Sequence, residues 1–208
     1  MINNYDKIAN YYDSLSRLVF GKSQVDAQIN QLKNITKNSS ILIVGGGTGW
    51  ILEEIAKLHS TGLMITYVEI SSKMTALSKA RNYGDNELVF INLGIEEFND
   101  GKNFDIILTP FLFDNFSEER CDVVFQKLNH MLNKGGLWFL VDFTVHSKIG
   151  NWWKRFFLKV MYKFFSIISH VETEILVDMA PHFEKADYKI IEERFYYGKF
   201  IKAAIYQK

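Results

Sequence analysis

Several features that mark particular protein classes are scarce in this chain of 208 residues. Its one cysteine, Cys121, excludes an intrachain disulfide framework and suits a reducing compartment. It has two prolines, Pro110 and Pro181, and no Pro/Ser-rich linker, internal repeat or low-complexity tract. These absences favour a single domain over residues 1–208.

An excess of either charge is also missing. Lys plus Arg and Asp plus Glu both number 24, so the formal net charge is zero. Proteins that hold nucleic acid through its phosphates carry a basic excess, and we therefore expect no nucleic-acid partner. No apolar run reaches the roughly 18 residues that span a bilayer. The opening "MINNYDKIANYYD" has no signal-peptide core, so we expect a cytoplasmic protein.

What the chain does contain is an alternation of short apolar segments with segments of helical spacing. Strands are predicted at "ILIV", "LMITYVEI", "LVFINL", "FDIILT" and "LWFLVDF". Helices follow, capped by Ser71 or Ser72 and by Ser117. Two final segments, separated by Gly198 and Lys199, predict a closing hairpin. The pattern predicts an α/β fold with a doubly wound, mostly parallel seven-stranded sheet and a C-terminal antiparallel hairpin.

A glycine-rich loop, Gly45-Gly46-Gly47-Thr48-Gly49, follows the first predicted strand and opens a helix. Glycine permits sharp turns and close approach of a ligand, and the free N–H groups at a helix start favour polar or negative ligand groups. The dinucleotide fingerprint G-x-G-x-x-G is not matched, because a tryptophan follows the last glycine. The loop predicts a nucleotide-like ligand that is not a dinucleotide, and the alternative is a tight turn without a ligand.

An acidic residue ends the second predicted strand. Glu69, with Ile70 after it, comes roughly twenty residues beyond the glycine loop. A carboxylate there can accept hydrogen bonds from both ribose hydroxyls of a bound adenosine. The alternative is a surface glutamate that caps the next helix.

At this point the sequence resembles the class I S-adenosylmethionine-dependent methyltransferases. The resemblance rests on "ILIVGGGTG", "ITYVEIS", "FINLGIEEF", "FDIILTPFLFDNF" and "NKGGLWFLVDF", and covers most of the chain. "YDKIANYYD" is similar to the opening of the ubiquinone/menaquinone C-methyltransferases, in which this segment folds over the cofactor. The resemblance implies that Tyr12 of this chain reaches the methionine end of the cofactor and that Asp13 orders the segment.

The resemblance implies a Rossmann-like fold and S-adenosylmethionine as cofactor. The residues that it assigns to cofactor binding are Tyr12, Gly45, Gly46, Gly47, Thr48, Gly49, Glu69, Ile70, Ile95, Glu96 and Thr109. No metal site is predicted.

Two positions depart from the family pattern. The family often has an acid two residues before the first motif glycine, where this chain has Ile43, so another group must bind the methionine amine. The aspartate that often contacts the adenine amine is replaced by Gly94. The Ile95 backbone and Glu96 are the remaining candidates for that contact.

The residues that would bind the methyl acceptor are less clearly indicated by the sequence. Methyl transfer is an in-line displacement that needs an aligned acceptor and sometimes a base. Candidates follow the fourth and fifth strands, and they are Thr109, Phe111, Asp114, Asp142, Phe143 and His146. We name Asp142 and His146 as catalytic candidates, His146 because its usual pKa lies near neutrality. The alternatives are a capping role for Asp142 and a solvated loop histidine.

A basic amphipathic segment rich in aromatic residues occupies residues 152–169. Three interpretations stay open: a helix that contacts a membrane surface, a lid over an apolar acceptor, or a helix packed on the sheet or on another subunit of a homodimer. We divide the domain into an N-terminal helical cap (1–38), a cofactor-binding core (39–145), a helical lid or insert (146–187) and the closing hairpin (188–208).

The function predicted from the sequence is methyl transfer from S-adenosylmethionine to a small, apolar or aromatic acceptor. Two alternatives stay open. One is an aminopropyltransferase, because "ILIVGGGTG" also looks like polyamine synthases. The other is a non-catalytic module that binds the cofactor or a partner, because fold does not determine function.

Overall fold

Seven strands form one sheet in the computed structural model, which describes residues 6, 8–144 and 176–208. The strands are β1 Ser40–Val44, β2 Thr61–Val68, β3 Asp85–Ile91, β4 Phe104–Pro110, β5 Leu132–Phe143, β6 Lys189–Tyr196 and β7 Ile201–Gln207. Their spatial order is β3-β2-β1-β4-β5-β7-β6. The first five are parallel, and β7 is antiparallel to β5 and to β6. The predicted sheet and its C-terminal antiparallel pair are confirmed.

Helices precede the first strand and connect several of the others. They are α1 Tyr12–Phe20, α2 Ser23–Leu32, α3 Trp50–Leu58, α4 Ser72–Lys79, α5 Glu118–Met131 and α6 Ala180–Lys185, with 3₁₀ turns at Ala9–Tyr11 and Phe113–Asn115. Ser71 caps α4 by accepting from the Met74 N–H at 3.1 Å, and Ser117 caps α5 by accepting from the Arg120 N–H at 3.4 Å. Both predicted caps are confirmed.

β1 is buried on both faces, which explains why its sequence is apolar without alternation. Leu42 and Val44 belong to one core cluster, which includes the buried side of α5. Ile41 and Ile43 belong to a second cluster, which includes the buried side of α3. Successive side chains of a strand point to opposite faces, so helices cover the sheet on both sides.

The N-terminal helices are joined to the far half of the sheet. The amide of Gln31 in α2 donates to the carbonyl oxygens of Leu140 at 3.3 Å and Ala204 at 3.0 Å. Most of the predicted insert (146–187) lies outside the described residues, so the division into four parts stays a prediction. Within the described ranges, no helix combines the length and the apolar character needed to cross a membrane.

Candidate active site

A cavity of about 370 Å³ lies at the edge of the sheet where the parallel strands end. Its wall includes the last residues of four strands: Val44, Val68, Pro110 and Phe143. The order of strands reverses between β1 and β4, and ligands of open α/β sheets bind at such a point. The volume lies in the range of small-molecule pockets, roughly 300–1,000 Å³. This cavity is therefore the candidate active site.

The glycine loop, residues 45–49, leads from β1 into α3 beside the cavity. Gly45 and Gly47 adopt φ values of 69° and 62°, which side-chain-bearing residues avoid. Gly46 meets a different demand, because a Cβ there would lie 2.5 Å from the hydroxyl oxygen of Tyr67. That hydroxyl donates to the carbonyl oxygen of Gly47 at 2.9 Å. Part of the need for glycine thus comes from a buried tyrosine, which sequence reasoning missed.

The two ends of the loop have different roles. Thr48 lies in the cavity wall, and its hydroxyl donates to the Asp13 carboxylate at 2.8 Å. Gly49 is not among the described residues of the wall. A Cβ on Gly49 would lie 2.5 Å from the Cβ of Ser78 in α4. Gly49 therefore permits close packing of α3 on α4, and we leave it out of the proposed cofactor site.

Glu69 follows β2 in the cavity wall and is only 4% exposed. Its Oε2 accepts from the Gly47 N–H at 3.0 Å, and its Oε1 accepts from the Ser71 N–H at 2.8 Å. Burial raises the pKa of Glu69 to about 7, and these backbone N–H groups oppose the rise. A carboxylate has about four acceptor positions, so acceptor capacity remains for other donors. The burial contradicts the alternative of a surface glutamate and suits recognition of two hydroxyl groups.

Helix α1 borders the cavity through its first residues. Tyr12 lies in the wall, and burial followed by the charges of Asp114 and Asp13 raises the pKa of its hydroxyl. Asp13 also forms an ion pair with Arg81 at 3.0 Å, and Arg81 Nε donates to the carbonyl oxygen of Thr48 at 3.0 Å. These bonds agree with the predicted role of Asp13 in ordering the segment. Arg81 had no recognisable sequence signal.

The wall continues with residues that follow β2 and β3. Ile70, Ile95 and Glu96 all line the cavity. A Cβ on Gly94 would lie 3.4 Å from Oε2 of Glu96 and 3.5 Å from Cδ1 of Ile70. The Glu96 carboxylate forms an ion pair with Arg120 of α5, so it already has a partner.

Two positions discussed from the sequence face the core. Ile43 is fully buried in the cluster beneath α3. Thr109 is also fully buried, and its hydroxyl oxygen accepts from the indole N–H of Trp138 at 2.9 Å. Thr109 is not among the described wall residues, whereas the next residue, Pro110, is. The prediction for Thr109 is corrected on this ground, because neighbouring strand residues point to opposite faces.

Aromatic rings form another part of the wall. The rings of Phe111 and Phe143 are 4.9 Å apart between centroids, and those of Phe143 and Phe20 are 5.3 Å apart. Phe111 has a φ of 51°, a strained conformation for a bulky residue. Its N–H donates to the Val141 carbonyl at 2.7 Å, and its own carbonyl accepts from the Asn115 amide at 3.0 Å. These bonds hold the Phe111 ring at the cavity.

Two carboxyl groups lie at the ends of β4 and β5. Asp142 is 6% exposed, and its oxygens accept from the N–H groups of Phe113 at 3.1 Å and Phe143 at 2.8 Å. Burial raises the pKa of Asp142 to about 7. Asp114 lines the cavity, and burial followed by the charge of Asp142 raises its pKa well above the usual value. Asp142 is not among the described wall residues, so Asp114 is the one of the two carboxyl groups that faces the cavity.

The remaining candidates fall outside the described residues. These are His146 and the segment 152–169, so a base role for His146, a membrane contact and a homodimer stay predictions. Over the ranges that the structure describes, no group of three or more His, Cys, Asp and Glu side chains is placed to hold a metal ion.

Comparison with known proteins shows what the core of the chain is similar to. A family model described as "Methyltransferase domain" matches residues 41–136. No curated protein matches the chain. Among solved structures, the 1,6-didemethyltoxoflavin-N1-methyltransferase of Burkholderia thailandensis, with S-adenosylhomocysteine bound, has a TM-score of 0.67 at 13% identity. That match covers 97% of this chain and 84% of the other.

Two further solved structures are similar. The N-methyltransferase NodS from Bradyrhizobium japonicum WM9, in complex with S-adenosylhomocysteine, has a TM-score of 0.64 at 11% identity over 89% of this chain and 86% of that one. A Haloferax volcanii putative methyltransferase, in complex with the Trm112 methyltransferase activator, has a TM-score of 0.71 at 11% identity over 100% and 98%. Residues 41–136 thus match a methyltransferase family model, and the chain has the fold of the class I S-adenosylmethionine-dependent methyltransferases.

Proposed function

We propose that this chain transfers the methyl group of S-adenosylmethionine to a small apolar or aromatic acceptor. The observation that carries the proposal is the buried Glu69 carboxylate, which shares one cavity with the glycine loop and with the rings of Phe111 and Phe143. The Burkholderia relative acts on 1,6-didemethyltoxoflavin, and this supports a small acceptor.

The residues around the cavity fit the cofactor. Glu69 would accept hydrogen bonds from the two ribose hydroxyls, because both of its oxygens keep acceptor capacity beyond the backbone N–H groups that they hold. Gly45 and Gly47 would allow the backbone to approach the ligand, and Tyr12 would lie near its methionine end. When bound, the cofactor supplies an electrophilic methyl group on a sulfonium ion. Ile70, Ile95 and Glu96 would border the same ligand.

The chain's own contribution is alignment and exclusion of water. Helix α1 is tied to the glycine loop through the bonds that Asp13 makes with Thr48 and Arg81. The rings of Phe111 and Phe143 would orient an apolar acceptor, and aromatic faces also attract a sulfonium cation. Positioning of this kind lowers the barrier of a displacement reaction because it removes the entropic cost of bringing two reactants together.

Isothermal titration with S-adenosylhomocysteine tests the proposal. Wild-type protein should bind it, and Glu69→Ala should weaken binding on the order of 100-fold, because two hydrogen bonds to a charged group contribute about 3 kcal/mol or more. The matched control is Glu87→Ala, which removes an exposed glutamate from β3 and should leave affinity unchanged. Absence of binding to the wild type would refute the proposal.

The same purified protein can be used to distinguish methyl transfer from the two alternative functions. Methylation of an acceptor in a screen of small aromatic and aliphatic compounds supports the enzyme. Binding of the cofactor with no methylated product in a broad screen would instead support a non-catalytic module. Tighter binding of decarboxylated S-adenosylmethionine than of the intact cofactor would favour aminopropyl transfer.

A further inference from the structure

The cavity wall contains a carboxyl group to which the proposed function gives no role. Asp114 lies in the 3₁₀ turn after β4 and is 9% exposed, and its Oδ1 accepts from the Asn115 amide at 2.7 Å. Asp142 stands behind it at the end of β5 and holds two backbone N–H groups. One of these donors is the N–H of Phe113, the residue before Asp114, so the two carboxyl groups lie near each other, and the charge of Asp142 raises the pKa of Asp114.

Asp114 and Asp142, like Glu69, have no cationic partner among the described residues, whereas two other acids of the cavity wall do. Asp13 is paired with Arg81, and Glu96 is paired with Arg120. Across residues 8–144 and 176–208, no Lys, Arg or His forms an ion pair with Asp114 or Asp142. Two buried carboxyl groups without a counter-ion cannot both be ionised at low cost, so the pair holds a proton unless a ligand supplies a positive charge.

A second polar group independently points to a ligand. Gln24 of α2 lines the cavity at 7% exposure, and its amide oxygen accepts from the Ser16 hydroxyl. Its amide nitrogen donates to none of the described residues. A donor on a side chain this deeply buried, with no partner among the described residues, is costly, so this amide is suited to an oxygen atom of a bound molecule.

The space beside these groups is apolar. Phe111, Phe143 and Phe20 form one aromatic cluster in the wall, and Val19 and Val25 also line the cavity. Aromatic faces attract cations, so the rings add to the attraction of Asp114 for a positive group. The complementary ligand has an apolar or aromatic body and a protonated amino group.

We propose that Asp114 is a catalytic residue that binds the amino group of the acceptor and receives its proton, with Asp142 as the positioning residue behind it. The acceptor is accordingly an amine with an apolar or aromatic body. This inference rests on the proposed methyltransferase function and narrows its acceptor to a nitrogen nucleophile.

The amine is deprotonated before it is methylated. The amine enters as an ammonium ion, and one N–H proton passes to the Asp114 carboxylate, which frees the nitrogen lone pair. That pair forms the new bond to the methyl carbon, while the carbon–sulfur bond breaks and its electrons stay on sulfur. The positive charge passes from sulfur to nitrogen, and the proton on Asp114 leaves to solvent with the product.

Asp142 has a distinct part in this scheme. Its two backbone N–H donors stabilise its ionised form, so it keeps a negative charge while Asp114 holds the proton. Because positive charge develops on nitrogen during methyl transfer, a negative charge fixed behind Asp114 stabilises the transition state more than the ground state. A hydroxyl or carbon acceptor would gain no such positive charge at the end of its reaction.

The test compares benzylamine with benzyl alcohol, which has the same ring but no positive charge. Each compound is titrated into the full chain at about pH 7.5, with and without saturating S-adenosylhomocysteine, and followed by ligand-observed NMR. Wild-type protein should bind benzylamine at least about tenfold more tightly than benzyl alcohol. This factor equals the change in an equilibrium constant that accompanies a pKa shift of one unit. Equal affinities would overturn the proposal, and this comparison needs no variant.

Three variants test which residues cause the preference for benzylamine over benzyl alcohol. Asp114→Asn should abolish it, Asp142→Asn should reduce it, and Asp85→Asn, an exposed aspartate at the start of β3, should keep it. Affinity for S-adenosylhomocysteine should stay within about twofold in Asp114→Asn. A tenfold loss there would overturn the proposal, because Asp114 would then serve the amino group of the cofactor.

The titrations distinguish failure of the proposed methyltransferase function from failure of the role assigned to Asp114. If the wild type binds no S-adenosylhomocysteine, the proposed function fails, while the amine preference is still measured in its absence. If the wild type binds the cofactor product but shows no amine preference, only the assignment of Asp114 fails. A proton-release measurement adds a readout for Asp142: benzylamine binding should release protons in the wild type and fewer in Asp142→Asn.

Discussion

Replacement of Glu69 by glutamine should change how stability depends on pH. Glu69 is buried, and its pKa rises from the usual 4.5 to about 7. An acid whose folded-state pKa is raised is unfavourable to folding once it ionises. The free energy of unfolding is therefore highest below about pH 4.5, falls as pH rises towards 7, and then levels. The rise in pKa corresponds to about 3 kcal/mol lost over this interval.

Glutamine removes this penalty and introduces another. One oxygen of Glu69 becomes an NH₂ group, which then faces the N–H of Gly47 or Ser71 in place of an acceptor. An unpaired buried donor costs about 1–3 kcal/mol at every pH. Glu69→Gln should therefore be less stable than the wild type near pH 5, by about 1–3 kcal/mol, and of equal or greater stability near pH 8.

Urea denaturation of both proteins at pH values from about 5 to 8.5 measures the effect, since midpoint and slope give the free energy of unfolding. Glu87→Gln is the matched control, because Glu87 is exposed on β3 and its curve should follow the wild type. Asp142 adds a slope of the same sign in all three proteins, because burial raises its pKa to about 7 as well. Parallel curves for the wild type and Glu69→Gln would refute the reasoning.

Further expectations concern the glycine loop, α1 and the aromatic wall. Gly46→Ala should lower stability by about 1–3 kcal/mol in thermal denaturation, because its Cβ would lie 2.5 Å from the Tyr67 hydroxyl; an unchanged melting temperature would contradict this contact. Asp13→Asn should weaken binding of S-adenosylhomocysteine by about tenfold in calorimetry, because a charged hydrogen bond to the loop contributes about 1.5 kcal/mol. Phe111→Asn should keep stability within about 1 kcal/mol, because asparagine tolerates a φ of 51°, and should weaken benzyl alcohol binding in NMR titration. Unaltered binding of benzyl alcohol would show that the Phe111 ring does not contact the acceptor.

Much of the fold could be predicted because its signals are local. The apolar run of β1 reflects burial on both faces, and the Ser71 and Ser117 caps lie three residues from the N–H groups that they accept. Helical spacing places Leu58 on the buried side of α3, yet it is 55% exposed. Periodicity tells which side of a helix a residue occupies, but not how far another element covers that side.

Some residues of the candidate site could likewise be predicted from the sequence, and others could not. Glu69 and the glycine loop could be predicted, because a strand, a turn and an acid at a set spacing bring them to one edge of the sheet. Thr109 could not be excluded from the sequence, because its partner Trp138 lies 29 positions away on β5. Likewise, nothing local indicates that Gly46 must accommodate Tyr67 or that Arg81 pairs with Asp13.

The sequence by itself therefore determined the class of fold, the position of the glycine loop and the acid that follows it, because each depends on neighbours within one or two turns of chain. Only the tertiary structure decided that Asp114 faces the cavity with Asp142 behind it. Parallel strands bring residues together at their carboxyl ends from segments far apart in the chain. The charges and orientations that meet there depend on all of those segments at once.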